Sequence, residues 1–476
     1  MKIEFGTGGW RVPQEEFTTE NIYRVVNAVG LYINNEYNKS NANIIIGYDN
    51  RNNSFKAAIE AFNILYDKFG FKVKIFDKSV TTPTVMKYVS DYYCDLGVMI
   101  TASHNPATFN GIKIIEAGGR DATIATTKQI ESFCELPIQS SDLTNVCVIT
   151  EKYIKNKQNS YAYEVKYVDD VLSTINTDII KNKQFKIVFD NMHSSGHSLF
   201  NNLIYKLNVF SNTINFTGIF RDKNYIPCPT EENNKRISEI LKNSNEYNFG
   251  IAFDGDADRL GIIDENGNFI DGNDMLCLFT WYMYEYRNLK TPVAVSCCST
   301  DRVSAISKDY GCETIETPIG VKYLVEQIIN NGINFAGEQN GGVIFPNHLL
   351  GKDSIYTLAI LLEMLAVTEK TLSELIDDIH QKYGNTYCIS TQVDYVGEKD
   401  RVKEKIENLL PTFIPSASVS KMDGVKLRFA QNNFLMCRLS GTEPIIRILV
   451  ESSTKEQSEI YVNTCKKVLK EELGVI

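Results

Sequence analysis

The 476-residue chain contains no run of about 18 apolar residues, so nothing in it reads as a membrane-spanning helix. Its opening, MKIEFGTGGW, lacks the basic and apolar blocks of a secretory leader. Positive charge is in deficit too: 49 Lys and Arg stand against 59 Asp and Glu, for a formal net charge of -10. Non-specific nucleic-acid binding rests on spread-out cations that neutralise phosphates, so neither nucleic acid nor membrane is expected as a partner. An anionic small molecule would need a locally basic site. The eleven cysteines are an odd number with no Cys-x-x-Cys, and the only close pair is the adjacent Cys297 and Cys298. No disulfide framework or thiolate metal site follows, and reduced thiols in the cytoplasm are the expectation. His193 and His197 have a spacing that chelates metal on a helix, but MHSSGH follows a strand-like segment and reads as a turn.

What is present is ordinary globular material, 43% hydrophobic and 23% charged, in a chain long enough for three or four domains. Ile22, Val25, Val26, Val29, Tyr32 and Ile33 repeat at helical spacing after a possible cap at Thr18 or Thr19. NIIIGYD (43–49) reads as a buried strand, SFKAAIEAFNILYDKFG as a helix stopped by Gly70, and FKVKIF as the next strand. This alternation predicts α/β architecture. It recurs at FKIVFD (185–190) and NFGIAFD (248–254), and each recurrence reads as a new domain. Polar IKNKQNSYAY (154–163) reads as a first linker and 368–371 as a last one. Beyond them TLSELIDDIHQKYG, CISTQVDYV, VKLRFA, FLMCRL and IIRILVES predict a small α+β domain with an antiparallel sheet. The expected domains are therefore 1–150, 151–247, 248–368 and 369–476.

Four segments carry chemistry. DGDADR places Asp254, Asp256 and Asp258 at alternate positions directly after an apolar strand, a crowding that calls for a cation, and such hard oxygen ligands suit Mg2+. An EF-hand reading fails at its sixth position, which is Arg259 where that loop needs glycine. TASHNP sets Ser103 beyond the end of strand DLGVMI with His104 and Asn105 beside it, where ligands bind in open α/β sheets. Neither G-x-S-x-G nor S-x-x-K surrounds that serine, so its hydroxyl would depend on a neighbouring metal. RLSGTEPIIR puts Ser440, Gly441 and Thr442 in a turn between Arg438 and Arg447, the make-up of a phosphate clamp. GEQNGG offers Glu338, two amides including Asn340, and close backbone approach, the groups that read sugar hydroxyls.

In this order the segments resemble the α-D-phosphohexomutase superfamily over essentially the whole chain. The likeness runs through FGTGGWR (5–11), TASHNPATFNGIK (101–113), DGDADR, TPIGVK (317–322), GEQNGG and RLSGTEPIIR. The resemblance implies three α/β domains with mixed sheets and a smaller C-terminal α+β domain around a central cleft. It implies that Ser103 carries a phosphoryl group and, with Asp254, Asp256 and Asp258, holds one Mg2+ per active site. Arg11, His104, Lys113, Arg259 and Lys322 would line the reaction centre. Glu338 and Asn340 would read the sugar, and Arg438, Ser440, Gly441, Thr442 and Arg447 would hold phosphate. The implied partners are sugar phosphates, with hexose 1,6-bisphosphate as intermediate and activator, and the protein would be a monomer or homodimer.

Two positions depart from the family pattern. Gly342 stands where many bacterial relatives have histidine, and Gly8 where Asp or Ser is commoner. GEQNGG resembles instead the sugar loop of some archaeal-type members, including ones that act on glucosamine phosphate. The leading expectation is interconversion of the 1- and 6-phosphates of glucose or mannose. Glucosamine phosphate, a non-catalytic sugar-phosphate sensor and a metal-dependent phosphatase are the alternatives.

Overall fold

The computed structural model describes residues 2–6, 8–37, 41–144, 146–215, 222, 224–430, 432–440 and 444–476. By internal packing the chain forms two units, Met1–Asp271 with Gly341–Ser373, and Gly272–Asn340 with Glu374–Ile476. Among the described residues no helix is long and apolar enough to cross a membrane.

The first unit holds two mixed sheets. In the first, β1 (Trp10–Pro13), β2 (Asn43–Tyr48), β3 (Lys72–Phe76), β4 (Leu96–Ile100), β5 (Phe109–Glu116) and β7 (Lys157–Gln158) lie in the order β1-β5-β4-β2-β3-β7, with β6 (Arg120–Asp121) beside β5. β2, β3, β4 and β7 run parallel, while β5 returns antiparallel to β4 and pairs with β1. That reversal makes the Ser103 loop a connection between adjacent strands, at the carboxyl end of β4. The helix Thr19–Tyr37 buries Ile22, Val25, Val26, Val29, Tyr32 and Ile33 against this sheet's core, as their spacing requires. β7 falls inside the polar stretch expected to be a linker, so the first sheet reaches past the expected domain end at 150.

The second sheet corrects a larger expectation. β8 (Lys186–Asp190), β9 (Phe210–Ile214), β10 (Phe249–Phe253), β11 (Leu260–Ile263) and β12 (Phe269–Ile270) form one sheet in the order β12-β11-β10-β8-β9. β10 pairs in parallel with β8, from Phe249 opposite Ile187 to Ala252 opposite Asp190. The boundary at 247/248 therefore cuts through a sheet. An all-buried apolar strand needs neighbours on both edges, and the recurring α/β rhythm here marks a crossover within one sheet and not a fresh domain. The helix Ser354–Thr368, buried nearly all round, packs on the helices Ser160–Leu172, Thr177–Lys183 and His197–Leu207. The expected 248–368 domain is thus shared between the two units.

The second unit contains β13 (Val293–Ser296), β14 (Thr314–Thr317) and β15 (Ala336–Glu338), parallel in the order β14-β13-β15. β16 (Gly342–Ile344) belongs to the first unit, where Ile344 bridges Lys352. The C-terminal sheet comprises β17 (Tyr387–Asp394), β18 (Ser418–Ser420), β19 (Val425–Arg428), β20 (Phe434–Leu439) and β21 (Ile445–Ser452). It is antiparallel throughout, ordered β17-β21-β20-β19-β18, with the helices Lys399–Phe413 and Lys455–Lys467 packed on it. The helix Leu372–Tyr383 was expected to open this domain, but it is fastened elsewhere: His380 pairs with Asp274 at 2.9 Å and Tyr383 donates to Asp309 at 3.0 Å.

Candidate active site

β4 ends at Ile100 and the chain turns at Ser103, whose φ of +52° lies in the left-handed region. The Ser103 N-H donates to Thr101 Oγ1 at 2.8 Å, a local turn that aims the side chain inward. Its hydroxyl donates to Asp254 Oδ2 at 3.0 Å and lies 3.3 Å from His104 Nδ1. A strand-end loop predicts an exposed hydroxyl; Ser103 is instead 1% exposed. From β5, Lys113 places its ammonium 3.0 Å from Asp256 Oδ2 and 3.1 Å from Asp258 Oδ2. From β1, Arg11 lies opposite Gly111 and donates to Asn105 Oδ1 at 2.8 Å and Gly8 O at 3.2 Å. Gly111 permits this approach, since a Cβ there would fall 2.2 Å from Trp10 O and 2.9 Å from Thr101 O.

The second sheet supplies the acids. β10 delivers Asp254, and the loop to β11 carries Asp256, Asp258 and Arg259. One ligand atom of each aspartate lies within 4.8 Å of the others, and all three side chains are buried. Asp254 Oδ1 accepts from the backbone N-H groups of Asp258 and Arg259 at 3.0 and 3.2 Å, which folds the loop back on itself. Three successive carbonyls are fastened outward: Gly255 O to Ser195 N, Asp256 O to Thr82 N, and Ala257 O to Ser354 N and Oγ. The carboxylates are thereby left pointing in.

Burial and the two neighbouring carboxylates push Asp254 well above the ordinary carboxylate range. Burial acts on Asp258 in the same direction, but Lys113, Lys352 and Arg259 outweigh it and hold that group well below. Lys113 is raised because Asp256, Asp258 and Asp121 overcome its desolvation. His104 is driven far down by burial, then by Arg259 and Arg11, so its ring is uncharged at neutral pH. Asp256 Oδ1 and Asp258 Oδ1 are buried without a hydrogen-bond donor. Three convergent carboxylates, with two buried oxygens that accept no hydrogen bond, make a set of hard donors that fits a divalent cation.

Some contributors carried no signal in the sequence. Lys352 lies 3.5 Å from Asp258 Oδ1 and is 8% exposed, yet a single lysine ahead of an apolar helix looks like any helix start. Thr82, which donates to Asp256 Oδ2 at 2.5 Å, is equally plain among the residues of TTPT.

The second unit gathers the remaining residues. Glu338, at the end of β15 and buried, accepts from Gly320 N at 3.1 Å and from Asn340 Nδ2 at 3.2 Å. Lys322 stands in the first turn of the helix Val321–Asn331, its ammonium 5.6 Å from the Tyr323 ring. Arg438 on β20 and Arg447 on β21 lie directly opposite in the ladder, and Ser440 N closes the hairpin on Ile445 O at 2.9 Å. Gly441 and Thr442, expected in the clamp, lie outside the described residues. Like charges opposite one another destabilise a sheet, which suits a place where an anion comes. Asp423 ties Arg438 to the TPIGVK loop, accepting from Arg438 Nη1 and from Ile319 N, each at 3.1 Å. His193 has a φ of +58° in a turn, its ring against Tyr225, and the only acidic or imidazole-bearing metal cluster among the described residues is the aspartate triad.

The chain matches three family models: Phosphoglucomutase/phosphomannomutase alpha/beta/alpha domain I over residues 2–137, domain II over 165–267 and domain III over 271–383. The second match contains DGDADR, in agreement with the strand pairing. A phosphoglucomutase/phosphomannomutase of Thermococcus kodakarensis is 30% identical over 477 residues, 98% of this chain and 99% of that one. A phosphoglucosamine mutase of Staphylococcus aureus is 27% identical over 478 residues, 99% of each. In fold the chain is similar to Aspergillus fumigatus N-acetylphosphoglucosamine mutase, solved with GlcNAc-6P and magnesium. The TM-score is 0.60 at 14% identity, over 98% of this chain and 96% of that one. The protein belongs to the phosphoglucomutase/phosphomannomutase family of the α-D-phosphohexomutase superfamily, and it is a phosphohexomutase, an isomerase that relocates a phosphoryl group within a sugar.

Proposed function

We propose that the chain interconverts the 1- and 6-phosphates of glucose, and of mannose as a second substrate, with Ser103 as phosphoryl carrier. The observation that carries this reading is the buried Ser103 hydroxyl, 3.0 Å from the first of three convergent aspartates. Asp254, Asp256 and Asp258, with the phosphate on Ser103, would hold one Mg2+, which when bound offsets the charge that gathers on the transferring group.

The chain's own residues do the rest. The free hydroxyl of a sugar monophosphate attacks phosphorus on phospho-Ser103; the new phosphorus–oxygen bond forms to the sugar as the bond to the serine oxygen breaks. The sugar hydroxyl gives up a proton and the serine oxygen takes one. His104, 3.3 Å from Ser103 Oγ, keeps an uncharged ring there and orients that oxygen by hydrogen bonding. Arg11, Lys113 and Arg259 supply fixed positive charge around the transferring group. The hexose 1,6-bisphosphate so formed turns and returns its other phosphate to Ser103, leaving no net consumption. Free bisphosphate can load an unphosphorylated enzyme and so acts as activator. Glu338 and Asn340, with Lys322 nearby, read the sugar. Arg438, Ser440, Gly441, Thr442 and Arg447 grip the phosphate that is not reacting. The chemistry suits a cytoplasmic enzyme, since sugar phosphates are its small-molecule partners.

A second substrate reading, glucosamine phosphate, is favoured by Gln339 in the sugar loop and by the phosphoglucosamine mutases among the relatives. A coupled assay with the 1-phosphates of glucose, mannose, glucosamine and N-acetylglucosamine separates the two. Highest kcat/KM on glucose 1-phosphate supports the first; highest on glucosamine 1-phosphate replaces it.

A further inference from the structure

Two residues beyond the end of β2 form an enclosed ion pair that none of the chemistry above uses. Asp49 and Arg51 both have side chains 0% exposed, with Arg51 Nε 3.2 Å from Asp49 Oδ2. The rest of the guanidinium faces the serine loop. Nη1 donates to Pro106 O at 2.8 Å and Phe109 O at 3.1 Å. Nη2 donates to Ser103 O at 2.5 Å and Asn105 O at 2.7 Å. A guanidinium presents its N-H donors in a rigid fork, and here the two Nη groups reach four carbonyls of residues 103–109 while the Nε edge faces the Asp49 carboxylate as an ion pair.

Asp49 completes the arrangement from the other side. Besides Arg51 it accepts from Thr101 Oγ1 at 2.6 Å, Ser54 Oγ at 2.7 Å and Arg51 N at 3.0 Å. Thr101 Oγ1 in turn accepts from Ser103 N. Both the N-H and the C=O of Ser103 are thus tied, at one remove or directly, to one buried ion pair. Carbonyls converging on one centre demand a curled backbone, and Ser103 meets that demand with its left-handed φ of +52°. The acidic loop rests on the same carbonyl: a Cβ on Gly255 would fall 2.6 Å from Ser103 O and 3.6 Å from Arg51 Nη2.

We propose that Arg51 is the positioning residue of the phosphoryl carrier, shaping the loop of residues 103–109 around its guanidinium so that Ser103 Oγ is presented to Asp254. It touches no reacting atom. Its charge and fork geometry keep the serine in one place whether its oxygen bears hydrogen or phosphate, so reorganisation is avoided at each half of the cycle. Lysine cannot substitute, because an ammonium is a point charge with three donors and does not span four carbonyls.

This inference rests on the reading of Ser103 as carrier, and the test separates the two. Full-length wild type, Arg51→Lys and Arg51→Ala are loaded with glucose 1,6-bisphosphate, and phosphate on Ser103 is followed by mass spectrometry beside steady-state kinetics, thermal melting and Mg2+ calorimetry. Arg51→Lys keeps the charge. It is expected to bind Mg2+ within about threefold of wild type and to keep KM, while kcat and the rate of Ser103 loading fall on the order of 100-fold, the cost of misplacing a reacting group by about 1 Å. Added guanidinium is expected to restore part of the rate to Arg51→Ala. A folded Arg51→Lys with kcat within about threefold of wild type overturns the proposal, as does an equal loss of kcat, KM and Mg2+ affinity, which marks general collapse. If neither variant folds, nitrogen-15 spectra of wild-type guanidinium groups decide. Separate, slowly exchanging Nη protons for Arg51 support the clamp, and one averaged, fast-exchanging signal overturns it. Failure of wild type to accept phosphate on Ser103 sinks the carrier reading instead, and the guanidinium spectrum still judges the clamp.

Discussion

Ser103 Oγ donates to Asp254 Oδ2 at 3.0 Å, so the serine loop of the first sheet and the acidic loop of the second meet side chain to side chain. The partners are 151 residues apart in the chain. Each loop brings what the other lacks, a hydroxyl on one side and a place for a cation on the other.

The acidic loop should lose its metal when Asp256 loses its charge. Asp256→Asn retains an acceptor for Thr82 and Lys113 but removes a third of the carboxylate charge from the triad. Calorimetry should show Mg2+ binding weakened by at least about 10-fold, with turnover falling in step. Unchanged affinity would take DGDADR out of the metal site.

Glu338 should matter to the sugar more than to the fold. Because it also accepts from Gly320 N, the informative change is Glu338→Gln, which leaves an acceptor for that group. Loss of a charged acceptor to a sugar hydroxyl costs roughly 1.5 to 3 kcal/mol, on the order of 10- to 100-fold in kcat/KM. Equal kcat/KM on every hexose phosphate tested excludes the role.

Arg447 should serve both reaction directions, since one reactive serine can process both ends of a sugar only if the idle phosphate has a shared anchor. Arg447→Ala is expected to lower kcat/KM for the 1-phosphate and the 6-phosphate alike, by on the order of 10- to 100-fold. Free bisphosphate should accumulate during turnover, and added bisphosphate should rescue part of the rate. A deficit confined to one direction points to separate phosphate sites.

Asp301 links stability to pH. Burial raises this carboxyl, but Lys426 at 3.0 Å and Arg428 at 2.9 Å outweigh it and hold the group below its usual range. A depressed folded pKa contributes stability that is fully present above the unfolded value of about 3.9 and is lost as pH falls through the folded one. Asp301→Asn should therefore be less stable than wild type in urea unfolding at neutral pH, by about 1 kcal/mol, because Glu316 still pairs with Lys426 and Arg428. The gap should narrow below about pH 4. A gap that does not change with pH contradicts this.

The candidate segments stood out in the sequence because each is a cluster with its own chemical logic. Three aspartates at alternate positions after an apolar strand are legible without a structure, and so are two arginines around a small-residue turn. Helix Thr19–Tyr37 was equally plain from its apolar stripe. Domain limits were not. The repeat that ends in NFGIAFD looks alike whether it opens a new sheet or returns to an old one, and only the pairing of Phe249 with Ile187 tells which. Strand Ser418–Ser420 went unseen because three residues at a sheet edge have no periodicity to detect. Arg51 and Lys352 escaped for another reason: a lone cation reads as solvated surface, and its function comes from burial against groups distant in the chain.

The most direct test is the state of Ser103 through one cycle. The protein, cleared of phosphate and loaded with glucose 1,6-bisphosphate in the presence of Mg2+, is examined by peptide mass spectrometry before and after adding glucose 1-phosphate. Phosphate should appear on Ser103 alone, leave when the monophosphate is supplied, and return in steady state, while Ser103→Ala stays unmodified and inactive. Turnover near the wild-type rate in Ser103→Ala, with no other phosphorylated residue, would contradict the account.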